Sequence, residues 1–494
     1  MIELSAREIA DAVGGTIAGL DEASTDAVLC TSATTDSREV THGSLFIAKP
    51  GEVTDGHRFI GTAREAGSPL VLAERQVTDE NSQVYPSVIV PNVVDAMGRL
   101  AHEVVSRLRA EGDVTVVGIT GSAGKTTTKD LLRGIFSQHG PTVAPIGSYN
   151  GEVGVPLTVF RADRDTRYLV IEMGANHLGN IRYLCDMVVP DFGAILKVGT
   201  AHAGEFGGVE NIAITKSELA DGVAETGGVA LNIDDGRVAA MASKASAPVM
   251  YFGVEDRHVR EADTPIVEAR QLRTDETGCP QFRLCFPDGN EYEVTSKLIG
   301  EHHVYNALAA ATLAFLAKVP TSDIAKGLNT LAAGSRYRME RTDRADGVTI
   351  INDAYNANPE SMAAALRTLA QMGRDARPPR RTWAVLGPML ELGESSREEH
   401  DKLGRDVVRL NIPKLIAIGK EAAPIFNAAH LEGSWGEEAV WVETADQAFE
   451  ILQRELREGD IALFKSSNGA GLRFLGDRVA QDQTGVHRPG NESR

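Results

Sequence analysis

The sequence predicts an α/β protein of three domains. These are a small N-terminal α/β domain over 1–90, a central parallel-sheet domain with a phosphate-binding loop over 91–334, and a Rossmann-like C-terminal domain over 335–481. A polar tail follows over 482–494. Three observations carry this reading. At 494 residues the chain exceeds what one hydrophobic core serves. Short β-branched runs alternate with segments of helical period, the pattern of a mostly parallel sheet covered on both faces. Glycine-rich, polar turns follow several of those runs, where α/β folds place their ligands.

The N-terminal domain opens with a helix. Ser5 and Glu8 form an S-x-x-E capping box ahead of Ile9 and Val13, and Gly14-Gly15 supplies the stop. From Thr35 the chain reads TDSREVTHGSLFIAKPGEVTDGHRFI, a polar turn, a strand over Leu45 to Ala48, and a loop with Pro50, Gly51, Asp55, Gly56 and His57. Dense Gly, Asp, Ser and Thr around Arg38 and Lys49 suit a phosphate or sugar ligand; a solvated loop fits these features equally well.

The central domain is organised around Val114 to Asp130, VTVVGITGSAGKTTTKD. An apolar β-branched run ends in a turn of Gly121, Ser122, Ala123 and Gly124. Lys125, Thr126 and Thr127 follow, and Leu131, Leu132, Ile135 and Phe136 then recur at helical spacing. Strand, loop and helix in that order make a phosphate-binding loop, whose backbone N–H groups and helix dipole converge on an anion. In such a loop Lys125 reaches the β/γ-phosphates and the Thr126 hydroxyl ligates Mg²⁺, so ATP is the expected ligand. Ile119 stands where the strict motif has glycine. Further strands are expected at Tyr168–Glu172, Gly193–Val198 and Gly228–Leu231. A β-hairpin insertion is expected at Gln281–Phe286 and Tyr292–Val294, and an alanine-rich helix from Val304 to Leu316.

Glu172 closes its strand, the position from which nucleotide-hydrolysing folds hold Mg²⁺. His202 follows another strand in a glycine-rich loop, although Mg²⁺ prefers oxygen to imidazole. Lys216, in ITKSELADG, reads by itself as a surface lysine.

In the C-terminal domain, strands at Thr349–Asn352, Thr382–Leu386, Lys414–Ile418, Ala439–Val442 and Asp460–Lys465 alternate with helices from Pro359, Ser396, Ala445 and Gly471. Asp353 follows a buried strand and can accept ribose hydroxyls, and Arg338 can reach a phosphate. A helix cap and a surface arginine explain the same two residues. Lys465 ends another strand, so polar loops gather on one sheet edge.

Hydrophobic residues at 42% and charged residues at 24% are ordinary for a soluble globular chain. The net charge of −19 argues against a general nucleic-acid or anionic-membrane binder. The four cysteines form no C-x-x-C pair, which suits reduced thiols. With no apolar leader and no spanning stretch, the sequence predicts a cytoplasmic protein without membrane insertion.

Together these motifs resemble the Mur ligase family over nearly the whole chain. Its phosphate loop is similar to Thr120–Thr126, which accounts for Ile119. Its metal glutamate and metal histidine match Glu172, in EMGANHLGNI, and His202. Its H-x-x-N nucleotide element matches His303 and Asn306, and its arginine and ribose aspartate match Arg338 and Asp353. Its carbamylated lysine resembles Lys216, which implies N6-carboxylysine there and a second Mg²⁺. TDSR and G-x-LF…DGH resemble the part that holds the UDP-sugar. DAYNANPxSM and LGPMLELGE…H resemble the member that adds D-alanyl-D-alanine, and the D-N-P-R run of its diaminopimelate-adding sibling is absent. The glycine and arginine that usually follow the family's lysine are replaced here by Lys465-Ser466-Ser467-Asn468.

The resemblance implies ATP- and Mg²⁺-dependent joining of D-alanyl-D-alanine to UDP-N-acetylmuramoyl-tripeptide through an acyl phosphate, by a monomer. Lys125, Glu172, His202 and Lys216 are its expected catalytic residues. Gly121 to Thr127, Asn306, Arg338 and Asp353 are expected at the nucleotide, and Thr126 joins Glu172, His202 and Lys216 at the metal. Ser37, Arg38, Asp55, His57, Asn150, Asn356 and Lys465 are expected at the substrates. The rival readings are another amino-acid ligase of the family and a P-loop switch that uses ATP only to change conformation.

Overall fold

The computed structural model describes residues 1–51, 54–199, 206–258, 264–332, 334–433 and 438–482. Its architecture is three successive α/β domains, each with its own principal sheet.

The N-terminal sheet has the strand order Thr16–Ala18, Ser87–Ile89, Leu70–Ala73, Ser44–Ile47, Ser32–Thr34. All its pairings are parallel except the first. The helix Ala6–Val13 carries the expected capping box: Glu8 N–H donates to Ser5 Oγ at 3.2 Å, and Ser5 N–H donates to Glu8 Oε2 at 2.8 Å. Gly14 ends it at φ +65, in the left-handed region. A helix that the sequence pattern left unassigned, Val93–Glu111, starts at the side-chain cap of Asn92. Its apolar residues Val93, Met97, Leu100 and Val104 join Ile9 and Val13 to Val155, Leu169 and Leu184 in one continuous core. The N-terminal sheet is thereby packed against one face of the central one.

The central sheet has nine strands, in the order Glu291–Thr295, Pro280–Cys285, Ile266–Thr274, Val249–Val254, Gly228–Asn232, Phe192–Ile195, Thr115–Thr120, Tyr168–Glu172, Thr142–Val143. From Ile266–Thr274 onward every pair is parallel. The expected hairpin forms around Gly289 (φ +87). It pairs antiparallel with Ile266–Thr274 and so extends the same sheet. The helix His303–Leu316 is buried on nearly every side, and its alanines allow it to lie close to the helix Lys125–Phe136.

The C-terminal sheet has the order Glu340–Asp343, Thr349–Asn352, Ile461–Lys465, Thr382–Leu386, Lys414–Ile418, Ala439–Val442, parallel after its first pair. Separate apolar clusters cover its two faces, as a doubly wound sheet requires. Two elements escaped the sequence pattern. Glu340–Asp343 is a polar antiparallel edge strand, which lacks an apolar signature because one side meets water. Ala423–Glu432 has no side-chain cap, and its apolar residues are spread around it. All four cysteines are free, and burial pushes the Cys30 and Cys185 thiols up to about 12. Among the described residues, no helix is long and apolar enough to cross a membrane.

Candidate active site

The phosphate-loop sequence leaves the carboxyl end of Thr115–Thr120, between Tyr168–Glu172 and Phe192–Ile195. It lies on the wall of a cleft of about 930 Å³ that also takes in Arg338, Asp353 and Lys465 from the C-terminal part of the chain. Gly124 caps the helix Lys125–Phe136 at φ +87, and a Cβ there would sit 2.2 Å from Asn306 Oδ1. Both facts require glycine. Ser122 Oγ accepts from Gly199 N–H at 2.9 Å and Ser122 N–H donates to Lys197 O at 2.8 Å, tying the loop to its neighbouring strand end.

Register places Glu172 level with Ile119, so its carboxylate meets the first helical turn. Thr126 Oγ1 donates to Glu172 Oε2 at 2.9 Å, and Asn150 Nδ2 donates to Oε1, also at 2.9 Å. A Cβ on Gly174 would lie 2.7 Å from Asn150 Oδ1, so this glycine makes room for the asparagine. Arg338 Nη2 donates to Thr126 Oγ1 at 2.9 Å and to Ser148 Oγ at 3.2 Å, while its guanidinium stacks 4.5 Å from the Tyr355 ring centre. Arg338 Nε is buried with no hydrogen-bond partner among the described residues. Ser148 was not anticipated; the polar run SYNG was its only sequence signal.

Lys125 Nζ donates to Gly121 O at 2.8 Å. Burial holds its pKa below the usual lysine range, opposed by Glu172 and reinforced by Arg338. Lys216 lies mid-helix in Val209–Gly222 and is buried, facing the same cleft. Burial, with Lys125 as a second cause, lowers it to about 7. Among the described residues no carboxylate pairs with its ammonium, so tertiary packing makes a reactive amine of what reads in sequence as a surface lysine. His202 lies outside the described residues.

The His302 and His303 rings lie with centres 4.1 Å apart, tilted 40° to each other, and both line the cleft. Burial drops His302 to about 4 and His303 well below its usual value, so both rings are neutral near pH 7. His303 Nδ1 accepts from Asn306 Nδ2 at 2.9 Å, and its buried Nε2 has no hydrogen-bond partner among the described residues. Asp353 accepts from Lys465 Nζ at 2.6 Å and from Met339 N–H at 3.0 Å. Lys465 also donates to Asn356 O at 3.0 Å, bringing these three expected residues together.

Among the N-terminal residues, Thr35 lines this cleft, while Ser37, Arg38, Asp55 and His57 do not. Arg38 pairs with Asp36, which lowers that carboxyl to about 2. His57 is buried, its Nδ1 2.7 Å from Asp55 Oδ1 and its Nε2 accepting from Glu74 N–H. Asn180, His177 and Glu152 also line the cleft and form a further group that sequence reasoning did not single out. Asn180 Oδ1 accepts from the N–H groups of Asn176 and His177, and its Nδ2 donates to Glu152 Oε1 at 3.0 Å.

Orphaned donors on Arg338, a neutral imidazole edge on His303 and a glycine-opened loop at a helix N-terminus are together the features of a nucleotide site. Thr126 and Glu172 offer oxygen donors that suit Mg²⁺. Among the described residues there is no cluster of three or more histidine, cysteine or acidic side chains able to hold a metal by itself.

Family models match along the chain: the Mur ligase family catalytic domain at residues 30–111, the Mur ligase middle domain at 119–314, and the Mur ligase glutamate ligase domain at 337–468. A UDP-N-acetylmuramoyl-tripeptide–D-alanyl-D-alanine ligase of Mycobacterium tuberculosis (strain ATCC 25618 / H37Rv) is 42% identical over 99% of this chain and 100% of its own. The Bacillus subtilis (strain 168) protein of the same name is 31% identical over 96% and 98%. Among solved structures, MurF from Acinetobacter baumannii superposes with TM-score 0.83 at 30% identity, covering 97% of this chain and 99% of its own. Another from that organism, UDP-N-acetylmuramoylalanyl-D-glutamyl-2,6-diaminopimelate–D-alanyl-D-alanyl ligase, has TM-score 0.81 at 28% identity and the same coverage. MurF ligase from Thermotoga maritima, solved in complex with ADP, has TM-score 0.75 at 25% identity over 91% and 97%. Three successive domain matches and full-length relatives give one conclusion: the chain belongs to the Mur ligase family.

Proposed function

We propose that this protein joins D-alanyl-D-alanine to UDP-N-acetylmuramoyl-tripeptide at the expense of ATP, releasing ADP and phosphate. The observation that carries the assignment is end-to-end similarity to relatives of that name, 42% over 99% of this chain.

A carboxylate does not condense with an amine near neutral pH, because its oxygen is a poor leaving group. Transfer of the γ-phosphoryl group to that oxygen gives an acyl phosphate. The dipeptide amine attacks the carbonyl carbon, a tetrahedral adduct forms, and phosphate departs as the nitrogen loses its proton. The carboxylate and the γ-phosphate are both anions, and two unit charges at ~4 Å repel by ~4 kcal/mol at an effective dielectric of ~20. Lys125, Arg338 and the N-terminus of the helix Lys125–Phe136 offset that repulsion. Thr126 and Glu172 would hold Mg²⁺, which supplies further positive charge at the phosphates. Asn150 fixes the Glu172 carboxylate, and Ser148 fixes the Thr126 hydroxyl and Arg338. His303 and Asn306 face the nucleotide, with Asp353 toward its ribose and Lys465 and Asn356 beside it.

Lys216 as N6-carboxylysine belongs to the same reading. Addition of CO₂ requires an uncharged amine, and a pKa of about 7 makes that form abundant at neutral pH. The resulting carbamate is an anion facing the cleft. Ser37, Arg38, Asp55 and His57 are assigned by resemblance to the UDP-sugar end. One chain supplies every group named here, which supports action as a monomer. A UDP-linked substrate and ATP place the reaction in the cytoplasm.

The test is mass spectrometry of the product from UDP-tripeptide, ATP and D-alanyl-D-alanine. The pentapeptide mass with equimolar phosphate is expected; ATP hydrolysis indifferent to both substrates would instead identify a nucleotide switch.

A further inference from the structure

Among its described lining residues, the cleft contains three carboxylates: Glu152, Glu172 and Asp353. Two are engaged. Glu172 holds Thr126 and Asn150 and interacts electrostatically with the Lys125 ammonium, and Asp353 is ion-paired with Lys465. The cleft's cationic side chains are Lys125, Lys216, Arg338 and Lys465: Lys125 sits in the phosphate loop and acts on Lys216, Arg338 reaches Thr126, and Lys465 holds Asp353. Glu152 differs. Its Oε1 accepts from the neutral amide of Asn180, and among the described residues no cation pairs with it. The residue is exposed to the cleft, and Asn180 is anchored by the two backbone N–H groups of Asn176 and His177. The carboxylate is thus aimed by a fixed neighbour and left without a counter-charge.

Its position is close to the chemistry. Glu152 follows Asn150 by two residues, so their Cα atoms are at most about 7.6 Å apart. Asn150 in turn touches the carboxylate that holds Thr126. The reacting carboxyl of the proposed substrate belongs to the third residue of its peptide. In an Acinetobacter baumannii neighbour that residue is 2,6-diaminopimelate, whose side chain ends in a second ammonium and carboxylate. The distal ammonium lies roughly 7 Å from the reacting carboxyl when extended, by ordinary bond lengths. That reach is comparable with the separation of Asn150 and Glu152 along the chain.

We infer that Glu152, oriented by Asn180, receives the distal ammonium of the peptide's third residue and so selects acceptors that carry one. This inference rests on the proposed ligase function. The reacting carboxylate and the phosphates of the substrates are drawn to the four cations, and the distal ammonium to the carboxylate they leave unpaired. Glu152 thereby fixes which way the third residue lies when its carboxyl meets the γ-phosphate.

The test compares UDP-tripeptides ending in diaminopimelate and in 2-aminopimelate, and a second pair ending in lysine and in norleucine, with wild type and Glu152→Gln. Each pair differs by one ammonium. Wild type is expected to favour the ammonium-bearing member in kcat/KM by roughly tenfold or more, as one charge-assisted hydrogen bond provides. In Glu152→Gln that preference falls to near unity, while the ammonium-free substrates react at near the wild-type rate. A preference unchanged in the variant overturns the inference. An equal loss with all four substrates overturns it too, since that is what a role confined to holding Asn180 produces. A rise in KM for D-alanyl-D-alanine alone assigns Glu152 to the incoming dipeptide instead. If wild type ligates none of the four, the functional reading itself falls.

Discussion

Arg338 donates to the Thr126 hydroxyl across 2.9 Å, joining the ligase-domain match to the phosphate loop of the middle domain. The guanidinium also reaches Ser148 and stacks on Tyr355. Both hydrogen bonds leave Nη2 while the guanidinium plane lies on the Tyr355 ring, and an ammonium has no plane with which to make that third contact. Arg338→Lys is therefore expected to lower kcat by roughly 10²-fold, the scale on which one preorganised donor acts. The unfolding temperature should stay close to wild type. Steady-state ligation beside a thermal scan checks this; near-normal kcat would remove Arg338 from the reaction.

Lys125 is buried with a depressed pKa, and among the described residues it donates only to the Gly121 carbonyl of its own loop. Lys125→Ala should leave the fold intact and reduce ATP-dependent ligation by roughly 10²–10³-fold. Phosphate release under saturating substrates is the measurement, with far-UV circular dichroism as the control. Turnover close to wild type would sink the assignment of this loop to ATP.

Lys216 carries a pH prediction with a definite sign. Its pKa of about 7 means that protons leave as pH rises through that value, giving the uncharged amine that the proposed addition of CO₂ requires. Incubated with ¹³C-bicarbonate, the protein should show a carbamate resonance that grows as pH rises from 6 to 8. The signal should be missing in Lys216→Ala. That variant should also lose ligation and regain part of it with short-chain carboxylic acids, which restore an anion in the vacated space. A fully active Lys216→Ala ends the carbamate reading.

Gly124→Ala meets two obstacles, a φ of +87 and a Cβ 2.2 Å from Asn306 Oδ1. The left-handed conformation alone costs roughly 1–2 kcal/mol for an alanine, and the clash forces the loop and Asn306 apart. The expected result is loss of the rise in unfolding temperature that saturating ATP gives wild type, by linkage. An undiminished ATP-dependent shift would contradict the packing described here.

The parts legible in sequence are local ones. Ser5 and Glu8 make their capping box wherever the helix docks, because the bonds span three residues. The β-branched run before Gly121 reads as a strand for the same reason. Glu340–Asp343 and Ala423–Glu432 were hidden because one has a wet face and the other lacks a cap and a clear apolar stripe. Within the cleft, Lys125 and Thr126 follow from the loop motif, whereas Ser148, Asn180 and Glu152 matter only through partners 3 to 190 residues away.

The sequence by itself determined the three α/β domains, the phosphate loop with its ATP expectation, and membership of a family, since strand, turn and helix signals are short-range. Tertiary structure alone decided the chemistry of particular groups. Burial beside Lys125 turned Lys216 from a surface cation into an amine near pKa 7, because desolvation depends on what packs around a charge. Domain packing brought Arg338 to Thr126, and the fold of the central domain set Asn180 against Glu152, whose carboxylate has no cationic partner among the described residues. Those relationships are set by distance in space, which no spacing along the chain records.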